Sequence, residues 1–285
     1  MRKPLLILIA LLSALMITAQ TKQSMNYDAS WKKVSDFEQK SLPKSASEEV
    51  NKILKQAIDD KNSPQVIKAL IHQGKYDLAI DAENDTTIFR NLGDMLAKSN
   101  DDVEKSVLHS MLGEVYLQYY QKDQWQINQR AALGDFVPAD MKEWTKNIFY
   151  NKVVEHLNAS LQARAPLEKA QVTTYAAVVE LGNDSRRFFP SMYDFLVRRA
   201  LDVFKQIDAD EDLSRVLARK NITQQSLFAS ADKFVKLPFD PQPSEYGLWA
   251  LKTYQPFLSS LLARKMDKSV VLVELDKLDY LQRFL

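Results

Sequence analysis

Between Trp31 and Tyr76 apolar residues recur at helical spacing. Val50, Ile53, Leu54, Ala57 and Ile58 stand at i, i+3, i+4, i+7 and i+8, one stripe of an α-helix. Tyr27, Trp31 and Val34 keep that interval upstream, and Val66, Ile67, Leu70 and Ile71 continue it downstream. Pro43 and Pro64 fall where helices would begin, with Ser63 as an N-cap ahead of Pro64. The spacing predicts helices over about 26–40, 44–61 and 64–80, joined by short turns. None of the three could bury its stripe alone, so the chain must repeat the arrangement to build a core.

The repetition continues. After a polar loop over 81–87 and a helix over 88–98, Asn100-Asp101-Asp102 caps the most regular stripe of the chain. That stripe is Val103, Val107, Leu108, Met111, Leu112, Val115, Tyr116 and Tyr119, with Lys105, Ser106, Gln118 and Lys122 off it. Leu112-Gly113-Glu-Val-Tyr116 carries the Leu-Gly-x-x-Tyr core of a tetratricopeptide first helix, whose glycine admits a close neighbour. Further helices are predicted over about 139–162, from Pro166 to Leu181, and over the amphipathic run Tyr193–Phe204. Three more are predicted from Thr223 to Lys236 and over about 245–264 and 268–285. Gly182-Asn183-Asp184 reads as a helix stop, and Pro238, Pro241 and Pro243 keep 237–243 extended. Val270–Val273 is the one run that could be a strand. About ten helices pairing at roughly 35–45 residues predict an all-α fold, a degenerate tetratricopeptide-like helical-repeat (α-solenoid) array.

Composition agrees. The 285 residues contain 6 glycines, where average usage would give about 20. The 38 basic and 37 acidic residues nearly cancel, and without Arg2 and Lys3 they stand at 36 against 37. Net charge therefore gives no reason to expect nucleic acid or an anionic membrane as partner. Arg2-Lys3, the apolar run Leu5–Ile17 and the small residue Ala19 read as a secretory signal peptide over 1–19. A polar leader over 20–25 and a helical-repeat domain over 26–285 follow. The apolar run is too short for a membrane span. With no cysteine there is no disulfide and no lipid-bearing cysteine. The expected location is the periplasm, the bacterial cell surface or the medium. Phe284 and Leu285 end the chain in mid-helix, which predicts a domain truncated within a longer sequence.

Candidate chemistry is sparse. His72, His109 and His156 are the only histidines, and none has metal-ligand spacing; His109, beside Leu108, reads as a partly buried structural histidine. Asp59-Asp60, Asp101-Asp102 and the acidic run Asp208–Asp212 fit caps and solvated loops. Arg186-Arg187 and Arg198-Arg199 could form a basic patch with Phe188 and Phe189, although core aromatics with surface arginines explain them as well. Tyr119, Tyr120 and Trp125 could line a groove, although tyrosines at this spacing usually belong to a core. No catalytic, cofactor-binding or metal-binding residue and no cofactor is expected, and the chain does not read as an enzyme.

Several segments resemble a known family. They are Trp31-Lys-Lys-Val with Leu42-Pro43-Lys44-Ser45-Ala46, Pro64-Gln65-Val66-Ile67-Lys68-Ala69-Leu70, and His109-Ser110-Met111-Leu112 with Tyr119-Tyr120-Gln121. Tyr193-Asp194-Phe195-Leu196 with Arg199-Ala200-Leu201-Asp202, and Ala250-Leu251-Lys252-x-Tyr254-Gln255, complete the set. In this order they resemble the N-terminal helical region of large Bacteroidota-type alpha-2-macroglobulin family proteins. The resemblance implies an exported parent of well over a thousand residues whose β-sandwich domains trap endopeptidases at a bait segment, in some members with a Cys-Gly-Glu-Gln thioester. This chain has no bait and no thioester, so no functional residue carries over. The expected role is a scaffold or docking module, its partners being downstream macroglobulin domains or an envelope protein, with a target protease for the parent. The alternative is a free-standing exported helical-repeat protein that binds a peptide or glycan.

Overall fold

Helices account for all the regular structure among the described residues apart from one isolated antiparallel bridge, Gln171 to Ser191. The computed structural model describes residues 25–81, 86–131, 136–182, 184–207, 212–242 and 244–283. The expected signal peptide, nearly all of the polar leader, most of the acidic run at 208–212, and Phe284 with Leu285 lie outside them. The longer helices are α1 (Tyr27–Gln39), α2 (Pro43–Asp59), α3 (Ser63–Ile80), α4 (Thr87–Lys98), α5 (Asp102–Lys122) and α6 (Lys146–Ser160). They continue with α7 (Arg164–Lys169), α8 (Met192–Ile207), α9 (Leu213–Arg219), α10 (Tyr246–Ala263) and α11 (Asp267–Leu281). Single-turn helices at Gln124–Ile127, Ser185–Phe188, Gln224–Leu227 and Ala231–Phe234 fill the connections.

One turn recurs. After α1, α2, α9 and α10 the chain takes a single left-handed residue: Ser41, Lys61, Asn221 and Lys265, with φ of 53–56°. In each case the next N–H returns to a carbonyl five residues back, as Asn62 donates to Ala57 (2.9 Å) and Met266 to Leu261 (2.9 Å). This ties off the last carbonyls of each helix. Glycine is the usual residue at that position, so the chain makes tight helix hairpins while using few glycines. Pro43 opens α2 as expected, whereas the side chain capping α3 is Asn62 and Ser63 is already its first residue.

Packing is mainly between chain neighbours, α1 on α2, α2 on α3, α4 on α5 and α5 on α6, until α8 returns to α5 and α6 and then receives α10. Three buried clusters follow the same progression, from α1–α3 through α2–α5 to one that takes Ile67 of α3 and runs on from α5 to α11. α5 is the hub, touching α3, α4, α6, α7 and α8. It is therefore buried nearly all round: Ser106 and Leu117, off the expected stripe, are buried, while Val103, Met111, Val115 and Tyr116 on it are only half-buried. The expected close approach at Gly113 is present. A Cβ there would lie 3.0 Å from Leu157 Cδ2 on α6.

Several predicted helices are broken. The run expected over 139–162 becomes α-helix only at Lys146, after a single 3-10 turn at Met141–Glu143, because Trp144 donates to the Pro138 carbonyl (2.8 Å) and Arg130 donates to the Trp144 carbonyl (2.5 Å). The helix expected from Pro166 to Leu181 ends at Lys169. The β-branched residues Val172, Thr173 and Thr174 favour extended or tight-turn backbone, and Val172 N–H donates to the Pro190 carbonyl (2.8 Å) instead of to its own helix. The helix expected over 223–236 is two single turns. Thr223 caps the first, and Gln255 on α10 caps the end of the second by donating to the carbonyls of Phe234 (3.1 Å) and Leu237 (2.8 Å). The seven-residue helix α9 lies where the spacing predicts none, and Val270–Val273 is helical, inside α11.

Candidate functional site

A cleft of about 520 Å³ lies between α8 and the stretch that precedes it, lined from Val172 to Phe189. Its wall is a loop excursion closed at the base. Val172 N–H donates to the Pro190 carbonyl and Met192 N–H to the Ala170 carbonyl, both at 2.8 Å, so the two ends of the excursion are clamped together. Ser269 at the start of α11 donates to the Phe188 carbonyl (2.7 Å) and holds the far side.

The opposite wall is fixed more firmly. Asp194 is fully buried and accepts from Ser191 N–H (3.1 Å) and Ser191 Oγ (2.7 Å), while Ser191 Oγ accepts from Asp194 N–H (3.2 Å). This is a reciprocal cap on the first turn of α8. Arg264, just past α10, grips the same carboxylate with both terminal nitrogens. Glu168 joins Arg164 (2.8 Å) to Ser260 (2.5 Å) and ties α7 to α10. α8 therefore presents Phe195, Arg198, Arg199 and Asp202, spaced i, i+3, i+4, i+7, as one stripe into the cleft.

The sequence reading expected Arg186-Arg187 and Arg198-Arg199 to join Phe188 and Phe189 in a basic patch. The structure brings Arg198, Arg199, Phe188 and Phe189 to one cleft but leaves Arg186 and Arg187 outside it, with Arg187 over the Phe188 ring on another face. The patch is not basic. Arg199 is neutralised by Glu114 of α5, and burial works against its charge. Arg198 lies 4.5 Å from the centre of the Phe189 ring. Glu180, Asp184 and Asp202 line the same space, and none of the three forms an ion pair within 4.0 Å among the described residues. Desolvation raises the Asp202 carboxyl pKa, with Lys205 opposing and Asp276 adding repulsion. Sequence order hid this balance, because Glu114 and Glu180 are remote from the arginine pair along the chain.

Two of the histidines meet. His109 on α5 and His156 on α6 face each other with Nδ1 to Nδ1 at 2.9 Å, so one ring donates and the other accepts. Tyr116 stacks on His156, and Trp144 on Tyr116. Burial lowers both imidazole pKa values, His156 to about 4. His72 stands apart, between Trp31 and Tyr76. No group of three or more potential metal ligands occurs among the described residues. Tyr119 and Tyr120 belong to the core, stacked and tilted against Phe149, whereas Trp125 is 76% exposed. Asp101 caps α5 and Asp60 accepts from Tyr27 (2.8 Å) and Gln56 (2.7 Å). No helix among the described residues is long and apolar enough to cross a membrane. No protein-family model, curated protein or solved structure matches the chain.

Proposed function

We propose that the chain is a helical docking module of an exported, macroglobulin-like protein, and that its helices form a degenerate tetratricopeptide-like array. The observation that carries the docking reading is the outer face of α11. Val271, Leu272 and Leu275 are 57%, 39% and 54% exposed there, while Val273, Lys277, Tyr280 and Leu281 fill the inner face. Adjacent exposed aliphatic residues on one helix face are the ordinary mark of a surface that another protein part covers. In this reading the cover is a downstream β-domain of the parent chain, trapping of a protease belongs to those domains, and residues 1–19 are removed on export. The ordered segments from Trp31 to Gln255 support the family assignment.

The test is the intact mass of the mature protein recovered from the cell envelope or medium. The reading expects a chain starting near Gln20 and running to well over a thousand residues, with β-rich sequence after Leu285. A mature protein that ends at Leu285 overturns it. The second reading, a helical protein that holds a peptide, is favoured by the cleft on α8.

A further inference from the structure

The cleft has an inner neighbour. A chamber of about 60 Å³ lies between α3, α5 and α8, lined by Ile67, Ile71, Val107, Met111, Val178 and Leu196 among others. Val179, Phe195 and Arg199 border both spaces. Ser110 also lines the chamber. It is 1% exposed, and its hydroxyl has no hydrogen-bond partner in the protein. A buried hydroxyl without a partner carries a desolvation cost, which a helix at the centre of a core would normally avoid. The chamber is thus a small, mainly apolar space that Ser110, Tyr175 and Arg199 also line, with the Ser110 hydroxyl unpartnered, next to an open cleft with aromatic walls.

We propose that cleft and chamber form one two-part site for an extended peptide segment, with a small branched side chain such as valine or threonine in the chamber and an adjacent lysine or arginine in the cleft. This inference rests on the peptide-holding reading and is independent of the macroglobulin assignment. Size sets the first half. At about 60 Å³, several times the roughly 10–15 Å³ that one water needs, the chamber has room for a small branched side chain, and a threonine hydroxyl could also satisfy Ser110. Charge sets the second half. Among the described lining residues, with Arg199 paired to Glu114, the carboxylates of Glu180, Asp184 and Asp202 outnumber Arg198, and Lys205 beside Asp202 is itself paired to Asp276. A cationic guest relieves that imbalance in a cleft whose lining also includes the aromatic residues Phe188, Phe189 and Phe195. An acidic guest meets three carboxylates. The clamp at 170–172 and 190–192 holds the two ends of the outer wall together before any guest binds.

The test is a nuclear magnetic resonance titration of the full chain with four blocked peptides: acetyl-Ser-Val-Arg-Ser-amide, acetyl-Ser-Thr-Arg-Ser-amide, acetyl-Ser-Val-Glu-Ser-amide and acetyl-Ser-Gly-Arg-Ser-amide. The first two should shift the amides of Ser110, Val179 and Arg198 saturably. The glutamate and glycine peptides should each bind at least five-fold more weakly. Ser110→Met, which fills the chamber, should abolish the valine advantage while leaving the arginine preference. Glu180→Gln with Asp202→Asn should do the reverse, and neither exposed substitution touches the core. Equal or tighter binding of the glutamate peptide, or no saturable shift at these amides with any peptide, overturns the site. Unchanged valine preference in a Ser110→Met protein whose amide spectrum remains folded overturns the chamber. None of these outcomes bears on the mass of the mature protein, so the two readings fail separately.

Discussion

At the scale of single residues, stability concentrates in a few buried polar contacts. Asp194 is the sharpest case, because one carboxylate caps α8 and neutralises Arg264. Asp194→Ala should cost about 3 kcal/mol, since it removes a cap and strands a partly buried guanidinium. A urea melt checks this, and a loss below about 1 kcal/mol would mean that Arg264 finds another acceptor. Lys61 is the opposite case. Its left-handed backbone suits glycine, so Lys61→Gly should raise stability by about 0.5–1 kcal/mol in the same melt. The His109–His156 pair sets a pH window. Both folded pKa values lie below the ordinary value of 6.5, so the unfolded chain binds more protons between pH 6.5 and about 4. The pair's contribution is complete above pH 6.5 and is lost as the pH falls toward 4. Partial exposure discounts the loss to about 1–2 kcal/mol. Denaturation at pH 7.5 and pH 5 should show it in the wild type and much less in His156→Gln; equal slopes in both would dismiss the pair. The sequence displayed all three histidines but not this meeting, because His109 and His156 are 47 residues apart and become neighbours only when α6 packs on α5.

At the scale of elements, α5 and α6 meet in a close seam at Gly113. Gly113→Leu should push α6 away and cost about 2–3 kcal/mol, because the new side chain starts 3.0 Å from Leu157. Gly93 in α4 is the internal control. A Cβ there meets nothing within 4 Å, so Gly93→Ala should stabilise by about 0.5–1 kcal/mol. Calorimetry of the two variants separates close packing from helix propensity; a Gly113→Leu protein as stable as wild type would contradict the seam. Element reading from sequence succeeded where a helix shows one face to water. Val50, Ile53 and Ala57 are buried as their spacing requires, while Leu54 is half-buried and Ile58, at the edge of the same stripe, is exposed. It failed where tertiary contacts overrule local preference. Pro166 does lie in a helix, but that helix stops within four residues because Ala170 and Val172 pair with the 190–192 segment. The Thr223–Lys236 run has helical composition, yet it breaks between Leu227 and Ala231, and Gln255 from α10 takes the carbonyls of Phe234 and Leu237 at the end of its second turn. The stripe of α5 was misleading for another reason: a hub helix buries all its sides, so amphipathic spacing no longer identifies the inward one.

At the scale of the whole molecule, helices added mostly beside their chain neighbours carry α8 to a position where one face closes a core and the other lines a cleft. The arginines and phenylalanines of that cleft were visible as candidates. The charges that reverse its character, Glu180, Asp184, Asp202 and the Glu114 partner of Arg199, needed the fold to bring them together. α11 then stands with Val271, Leu272 and Leu275 facing outward, the surface on which the docking proposal depends. The most direct measurement is amide hydrogen exchange of residues 267–281, compared between the isolated 285-residue chain and the complete mature protein. Docking predicts that α11 exchanges at least ten-fold more slowly in the complete protein while residues 27–59 of α1 and α2 are unchanged. Equal exchange of α11 in the two would contradict the proposal that this chain is a docking module.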